Sequence, residues 1–112
     1  MNSLGVIGGL GPMATAYLLE LITDMTDART DQEHLDAIIF NRPSVPDRTA
    51  YILDHTKPSP VPPMINIAQK LEALGVCALA TPCVTAHSFH DELQSSVHIP
   101  FIHICLLYTS PS

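Results

Sequence analysis

The segment Leu-Gly-Val-Ile-Gly-Gly-Leu-Gly-Pro, residues 4–12, decides the fold that this sequence predicts. Its first four residues form a short apolar run that is typical of a buried β-strand, and the glycines that follow end the strand. Gly11 and Pro12 then open a helix, because proline at the first helical position gives up no hydrogen bond. Apolar residues at helical spacing predict that this helix fades near residues 26–28 and buries one face, made of Ala14, Leu18, Leu21, Ile22 and Met25.

Apolar runs that alternate with amphipathic stretches continue along the chain. Further buried strands are expected over residues 36–41, 76–80 and 101–104. Residues 55–63 contain four prolines and are expected to form an irregular loop. The pattern predicts an α/β fold, a four-stranded parallel sheet flanked by helices.

The later helices carry recognisable start and stop signals. Asp47 is expected to cap a short helix that ends near Leu53. A helix over residues 64–74 would be closed by Gly75 and would bury Ile67, Ala68, Leu71 and Leu74. The last helix is expected over residues 85–96, with Phe89, Leu93 and Val97 turned inward.

Composition and charge narrow the class of protein. The 112 residues carry five Lys and Arg against eleven Asp and Glu, a net charge of −6 without a basic stripe, so a nucleic acid is not an expected partner. No apolar stretch is long enough for a membrane span, and the first residues do not resemble a signal peptide. The three cysteines include no C-x-x-C pair, which favours reduced thiols and a cytoplasmic location.

Three segments are expected to meet at the carboxyl edge of the sheet, where ligands bind in open α/β folds. They are the glycine turn at residues 8–11, the loop after Asn41, and Pro82–His87. In the glycine turn, backbone N–H groups and the helix behind them would favour an anion such as a carboxylate. The glycine spacing does not fit a dinucleotide fingerprint, and a tight turn without a ligand is the alternative interpretation.

Cys83 is the strongest candidate for chemistry. It leaves an apolar strand and faces a predicted helix start, where N–H groups and the helix dipole stabilise a thiolate. Cys77 and Cys105 lie in apolar strands and are expected to be inert. Thr85 either caps the following helix or offers its hydroxyl to a substrate carboxylate.

Arg48 is one of few cations and lies next to the predicted crevice. Its planar guanidinium group can form two parallel hydrogen bonds with a substrate carboxylate. An ion pair with Asp47 or Asp54 would account for an arginine at this position equally well. A metal site is a further possibility, because Cys83, His87 and His90 have the spacing of three zinc ligands. No carboxylate or second cysteine completes that set, so neither a metal nor another cofactor is expected.

The motifs taken together resemble the aspartate/glutamate racemase family. They are residues 8–15 (GGLGPMAT), 46–49 (PDRT) and 82–87 (PCVTAH), and the resemblance runs from about Leu4 to Ile104. It implies cofactor-independent racemisation of aspartate or glutamate. In that reaction one cysteine thiolate takes the Cα proton, and a second cysteine delivers a proton to the opposite face.

The resemblance also assigns roles to single residues. Cys83 matches the first cysteine, and Arg48 matches the position that holds one substrate carboxylate. Gly9, together with Val84 and Thr85, matches the positions that hold the other carboxylate. The family usually has asparagine where this chain has Val84, and losing that amide would weaken or change substrate orientation.

Family members consist of two similar α/β halves and form homodimers. The resemblance therefore implies that residues 1–105 are an N-terminal domain and that residues 106–112 are a tail of different character. The second half, with its cysteine and a carboxylate-binding lysine, would be missing from this chain, and Cys105 does not match that cysteine. Two alternatives stay open: a non-catalytic domain that binds carboxylates or pairs with a partner, and a related cysteine isomerase acting on a dicarboxylate such as maleate.

Overall fold

A computed structural model of the chain describes residues 3–9, 11–82 and 88–102. They form an α/β fold in which helices cover both faces of one sheet, as the sequence predicts. In chain order the elements are β1 (Ser3–Gly8), α1 (Pro12–Met25), a 3-10 turn (Asp31–Glu33), β2 (Asp36–Asn41), α2 (Arg48–Leu53), α3 (Val61–Ala73), β3 (Ala78–Ala80), α4 (His90–Ser95) and β4 (Phe101–Ile102).

The sheet is four-stranded, and all of its strand pairs are parallel. Its order is β2-β1-β3-β4, so β1 and β3 are central and β2 is an edge strand. The register pairs Gly8 with Asn41, Val6 with Ala80, and Ala80 with Ile102. The predicted four-stranded parallel arrangement is therefore confirmed.

Each face of the sheet has its own hydrophobic core. On one face, Leu18 of α1 packs against Leu4, Val6 and Ala80. On the other face, helices α3 and α4 cover a larger cluster around Ile7 of β1. That larger cluster also contains Met64, Ile67, Leu71, Leu79, Leu93 and Phe101, and its members are buried.

Several predicted core positions are confirmed, and two at helix ends are wrong. Phe89, Leu93 and Val97 are buried as expected. Met25 is 64% exposed, because it lies in the last turn of α1, beyond the residues of that helix that pack on the sheet. Leu74 is 56% exposed, since α3 ends at Ala73 and Leu74 is its cap.

Helix α3 begins earlier than the sequence suggested. The expected loop extended to Pro63, whereas the helix begins at Val61 with Pro62 and Pro63 in its first turn. The N–H groups of a first turn have no acceptor within the helix, so prolines are tolerated there. Gly75 follows the helix with φ of 94°, which confirms its expected role in helix termination.

Two strands differ from their predicted form. β2 was expected to be buried, but it is only partly covered because an edge strand has one neighbour; Asp36 and Ala37 are exposed. β3 begins at Ala78 rather than Val76. Cys77, predicted to be a buried inert cysteine, is exposed, and its Sγ donates to the Ser3 carbonyl oxygen at 3.1 Å.

Some expectations fall outside the described residues. These are residues 83–87 at the start of the predicted last helix, residues 103–104 at the end of the last predicted strand, Cys105, and the tail over 106–112. The described part of that helix is α4, which runs from His90 to Ser95. Among the helices that the structure describes, none has the length and apolarity to cross a bilayer.

Candidate functional site

The strand order places a crevice between the carboxyl ends of β1 and β3. The chain passes from β1 to its neighbour β2 on one side, then returns to β3 on the other side. Connections that leave adjacent strand ends in opposite directions open a crevice, and this is where parallel α/β sheets bind ligands. Gly8 ends β1 and Gly9 follows it at this point, and Thr81 and Pro82 follow β3.

The glycine turn is in backbone contact with the loop after β2. The Arg42 N–H donates to the Gly8 carbonyl oxygen at 3.0 Å. A Cβ atom at Gly9 would lie 2.4 Å from the Arg42 carbonyl carbon, and Gly9 has φ of +94°. Only glycine combines this backbone conformation with so close an approach. Two of the three predicted segments are thus held together by their main chains.

The Gly9 amide is used inside the turn. It donates to Thr15 Oγ1 at 2.9 Å in a buried setting. The Thr15 hydroxyl in turn donates to the Gly11 carbonyl oxygen at 3.1 Å. In this arrangement Gly9 shapes the crevice through its backbone, and its role in binding a carboxylate stays a prediction.

Arg48 is the first residue of α2, the helix that follows β2 in the chain. Asp47 caps this helix as predicted, since its carboxylate accepts the Ala50 N–H at 3.0 Å. Arg48 Nη1 donates to the carbonyl oxygen of Val45 at 3.5 Å and to that of Pro46 at 3.4 Å. Both contacts are long and therefore weak.

One hydrogen-bond donor of the Arg48 guanidinium has no partner. Its Nε atom is buried and has no hydrogen-bond partner. Within residues 3–9, 11–82 and 88–102, Arg48 forms no ion pair, so the alternative of a pair with Asp47 or Asp54 is not what the structure contains. A partly buried arginine with an unsatisfied donor is suited to bind the carboxylate of a ligand.

Arg42 lies at the start of the same loop. Its guanidinium lies 5.0 Å from the centre of the Phe40 ring, and Lys70 Nζ lies 5.8 Å from that centre. The Val45 N–H donates to the Arg42 carbonyl oxygen at 3.4 Å, so a tight turn separates Arg42 from the residues that lead to Arg48. Arg42 and Lys70 thus place two of the five lysines and arginines of the chain beside the Phe40 ring.

The end of β3 carries an unsatisfied hydroxyl. Thr81 is fully buried, and its Oγ1 has no hydrogen-bond partner. It stands two residues before Cys83 in the sequence. Residues 83–87 lie outside the described residues, so the roles predicted for Cys83, Val84 and Thr85 stay predictions. The expectation that Cys83, His87 and His90 hold no metal is likewise not tested.

A cleft of about 520 Å³ lies between α2, the start of α3 and the start of α4. No pattern in the sequence predicted this cleft, although Tyr51 and Ile52 on α2 and His55 just after that helix were an available signal. Aromatic, aliphatic and polar side chains line it together: Tyr51, Ile52, His55, Ser59, Val61, Pro62, Ser88, Phe89 and Glu92.

The loop beside this cleft holds a carboxylate with perturbed acidity. The Thr56 hydroxyl donates to Asp54 Oδ1 at 2.7 Å, and the Thr56 N–H donates to the same atom at 3.0 Å. These hydrogen bonds, with a smaller contribution from the adjacent His55, lower the pKa of Asp54 below its ordinary value. The exposed loop between α2 and α3 thereby has a fixed local structure.

The fold and the crevice together define a class of protein. It is a parallel α/β domain in which a glycine turn and the loop after β2 meet at the carboxyl end of β1. Residues 7–107 match the family model described as Asp/Glu/Hydantoin racemase. The chain belongs to this family, and the resemblance seen in its motifs is confirmed.

Individual relatives agree with the family assignment. The broad specificity amino-acid racemase RacX of Bacillus subtilis (strain 168) is 30% identical over 105 residues, which cover 90% of this chain and 45% of RacX. The solved structure of Picrophilus torridus aspartate racemase is 34% identical with a TM-score of 0.82, covering 93% of this chain and 44% of that one.

A more distant structure supports the fold alone. A crystal structure from Yersinia pestis described as an Asp/Glu racemase is 19% identical with a TM-score of 0.77, and the match covers 93% of this chain and 45% of that chain. This chain therefore spans less than half the length of the relatives it matches.

Proposed function

We propose that the protein takes part in the cofactor-independent racemisation of an acidic amino acid, aspartate or glutamate, and that this chain carries the first of two cysteines, Cys83. The observation that carries the proposal is the backbone contact between Gly9 and Arg42 at the β1/β3 crevice. This contact joins the glycine turn to the loop that leads into Arg48. Membership of the Asp/Glu/Hydantoin racemase family supports the same reaction class.

Arg48 would bind a substrate carboxylate with the donors that its own loop leaves unused. A carboxylate paired to arginine gains charge-assisted hydrogen bonds, which fix the orientation of the neighbouring Cα. Gly9, Val84 and Thr85 would bind the other carboxylate. With valine in place of the usual asparagine, this second subsite would offer one polar side chain fewer.

The proton transfer would be carried by thiols. Cys83, as a thiolate, takes the Cα proton; the C–H bond breaks, and its electron pair stays on the substrate as a carbanion. A second acid then donates a proton to the opposite face of that carbon. In two-base chemistry each catalytic group works best when its pKa lies near the working pH, which suits a thiol near neutral pH.

The second acid would come from a second α/β half, because this chain spans less than half of its matched relatives. We further propose a homodimer for the complete protein and a cytoplasmic location, where thiols stay reduced.

The test is solvent isotope exchange. L- and D-aspartate are incubated in D2O with the 112-residue chain, and loss of the Cα proton is followed by NMR. Cys83→Ser is compared with Cys77→Ser, which alters an exposed cysteine outside the crevice. We expect exchange of one enantiomer in the wild type and in the Cys77 variant, and none in the Cys83 variant. Equal exchange by both variants would refute the role of Cys83.

Valine at position 84, where the family usually has asparagine, favours a second candidate, a domain that binds carboxylates without converting them. A folded chain that exchanges neither enantiomer but binds succinate, in a manner that Arg48→Gln abolishes, would identify this function. A panel that includes maleate then separates an amino-acid racemase from a dicarboxylate isomerase, since only the isomerase would convert maleate.

A further inference from the structure

The cleft between α2, α3 and α4 has the dimensions of a small-molecule site. Its volume of about 520 Å³ falls in the usual range of ligand pockets, roughly 300 to 1,000 Å³. Part of its wall is fixed by the larger core, because Phe89 belongs to that cluster and Tyr51 and Val61 pack against it. The proposed racemisation assigns no role to the residues that line it.

The walls of the cleft are largely apolar and aromatic. The centre of the Tyr51 ring lies 6.1 Å from that of the Phe89 ring. The His55 ring contacts the Tyr51 ring edge-on, with 4.6 Å between the ring centres. Val61 and Pro62 add aliphatic surface. Aromatic faces attract cations through their quadrupole, and apolar walls strengthen that attraction by excluding water.

The cleft also presents a carboxylate. Glu92, in the first turn of α4, lines the cleft and forms no ion pair within the part of the chain that the structure describes. The described residues that line the cleft include neither lysine nor arginine, and the chain has a net charge of −6. An anionic ligand would therefore meet repulsion here, whereas a cation would find a partner.

We infer that this cleft binds a small organic cation, an ammonium group carried on an apolar or aromatic body. The ammonium pairs with Glu92, the body packs against Tyr51 and Val61, and the hydroxyl of Ser88 is available to an N–H donor. Arg48 is not among the described residues that line the cleft, so the cleft is a site separate from the proposed carboxylate anchor. The inference holds whether or not the chain racemises amino acids.

Three probes of equal shape and different charge test the inference: benzylamine, benzyl alcohol and benzoate. Each is titrated into the 112-residue chain, and amide shifts of Tyr51, Ser88 and Glu92 are followed by NMR. We expect benzylamine to bind more tightly than benzyl alcohol, and benzoate to bind least. The same residues must shift in each titration, which locates the binding to the cleft.

Two neighbouring acids give a matched pair of variants. Glu92→Gln and Asp91→Asn each remove one negative charge from the first turn of α4, but only Glu92 lines the cleft. We expect Glu92→Gln to weaken benzylamine binding about three- to fivefold, as for a partly exposed charge pair, and to leave benzyl alcohol unchanged. Asp91→Asn should leave both affinities within about twofold.

Three results would overturn the inference. They are equal affinity for benzylamine and benzoate, equal effects of the two variants, or shifts that appear away from the cleft. Both substitutions are at exposed positions, so loss of folding does not confuse the comparison. None of these results bears on Cys83 or Arg48, so the proposed racemisation is judged by its own experiment.

Discussion

Thr15 Oγ1 accepts the Gly9 N–H at 2.9 Å and donates to the Gly11 carbonyl oxygen at 3.1 Å. One hydroxyl thereby connects the end of β1 to the first turn of α1 on both sides of the turn. The structure offers a reason for a buried threonine at this position, where an apolar residue would fill the same space. The glycine turn is fixed by a side chain of the helix that follows it.

Replacing Thr15 by valine should destabilise the fold. Valine keeps the volume but leaves the Gly9 N–H buried without an acceptor, which costs about 1 to 3 kcal/mol in the free energy of unfolding. Thr15→Ser keeps the oxygen and loses one methyl group, at a cost of about 0.8 kcal/mol. Urea denaturation of the three proteins measures both effects. A serine variant less stable than the valine variant would contradict the importance of the hydrogen bond.

Gly9 should not tolerate a side chain. Gly9→Ala requires a left-handed backbone conformation in a residue with Cβ and places that Cβ 2.4 Å from the Arg42 carbonyl carbon. Strain and overpacking together predict a loss of about 3 kcal/mol or more. Gly11→Ala is the control, because a Cβ at Gly11 meets nothing within 4 Å. Thermal unfolding should separate the two variants clearly, and similar melting temperatures would show that the turn can relax.

Much of this architecture could be predicted from local signals in the sequence. The apolar run before the glycines, the proline at the start of α1 and Asp47 before α2 each act within a few residues, and each was confirmed. The parallel sheet follows from the alternation of strands and helices. Such signals act on backbone conformation and hydrogen bonding, which residues nearby in the sequence determine.

The expectations that failed depend on long-range packing. β2 is partly exposed because it is an edge strand of the sheet. Met25 is exposed because it lies beyond the part of α1 that packs on the sheet. The bond between Gly9 and Thr15 joins residues six apart through a turn whose geometry the sequence does not reveal. The cleft needs three helices to meet, so only the spacing of Tyr51 on α2 and His55 just after it indicated the cleft in the sequence.

Asp47 should contribute to stability and to the position of Arg48. Its carboxylate accepts the Ala50 N–H, and Asp47→Ala removes this cap at a cost of about 1 kcal/mol. Asp47→Asn keeps an oxygen acceptor and should cost only a few tenths of that value. Because Arg48 is the next residue, we expect the alanine variant to weaken succinate binding as well. Calorimetric titration at equal folded fraction checks this, and unchanged affinity would mean that Arg48 does not depend on the cap.

The loop that contains Asp54 should respond to acid. Its pKa is lowered by the Thr56 hydroxyl first, then by the Thr56 N–H and His55, so the folded state favours the ionised carboxylate. The associated stability is present above the unfolded aspartate pKa of about 3.9 and is lost as the pH falls through the lower folded value. Thr56→Val should raise the Asp54 pKa toward its ordinary value. Carboxyl NMR titration measures this, with the Asp54 carboxyl of the unchanged protein as the reference.

Thr81 poses the opposite case to Thr15, since its buried hydroxyl has no partner in the structure. A polar group that is desolvated without a hydrogen bond reduces stability, so Thr81→Val should raise the free energy of unfolding by about 1 kcal/mol. If stability alone governed this position, valine would be the better residue. We therefore expect Thr81→Val to slow Cα deuterium exchange while the fold becomes more stable, because the hydroxyl lies two residues before Cys83. Chemical denaturation and exchange measured on one sample separate the two effects. A stabilised variant with unchanged exchange would show that the hydroxyl has no part in the reaction, and a destabilised one would show that it is bonded in solution.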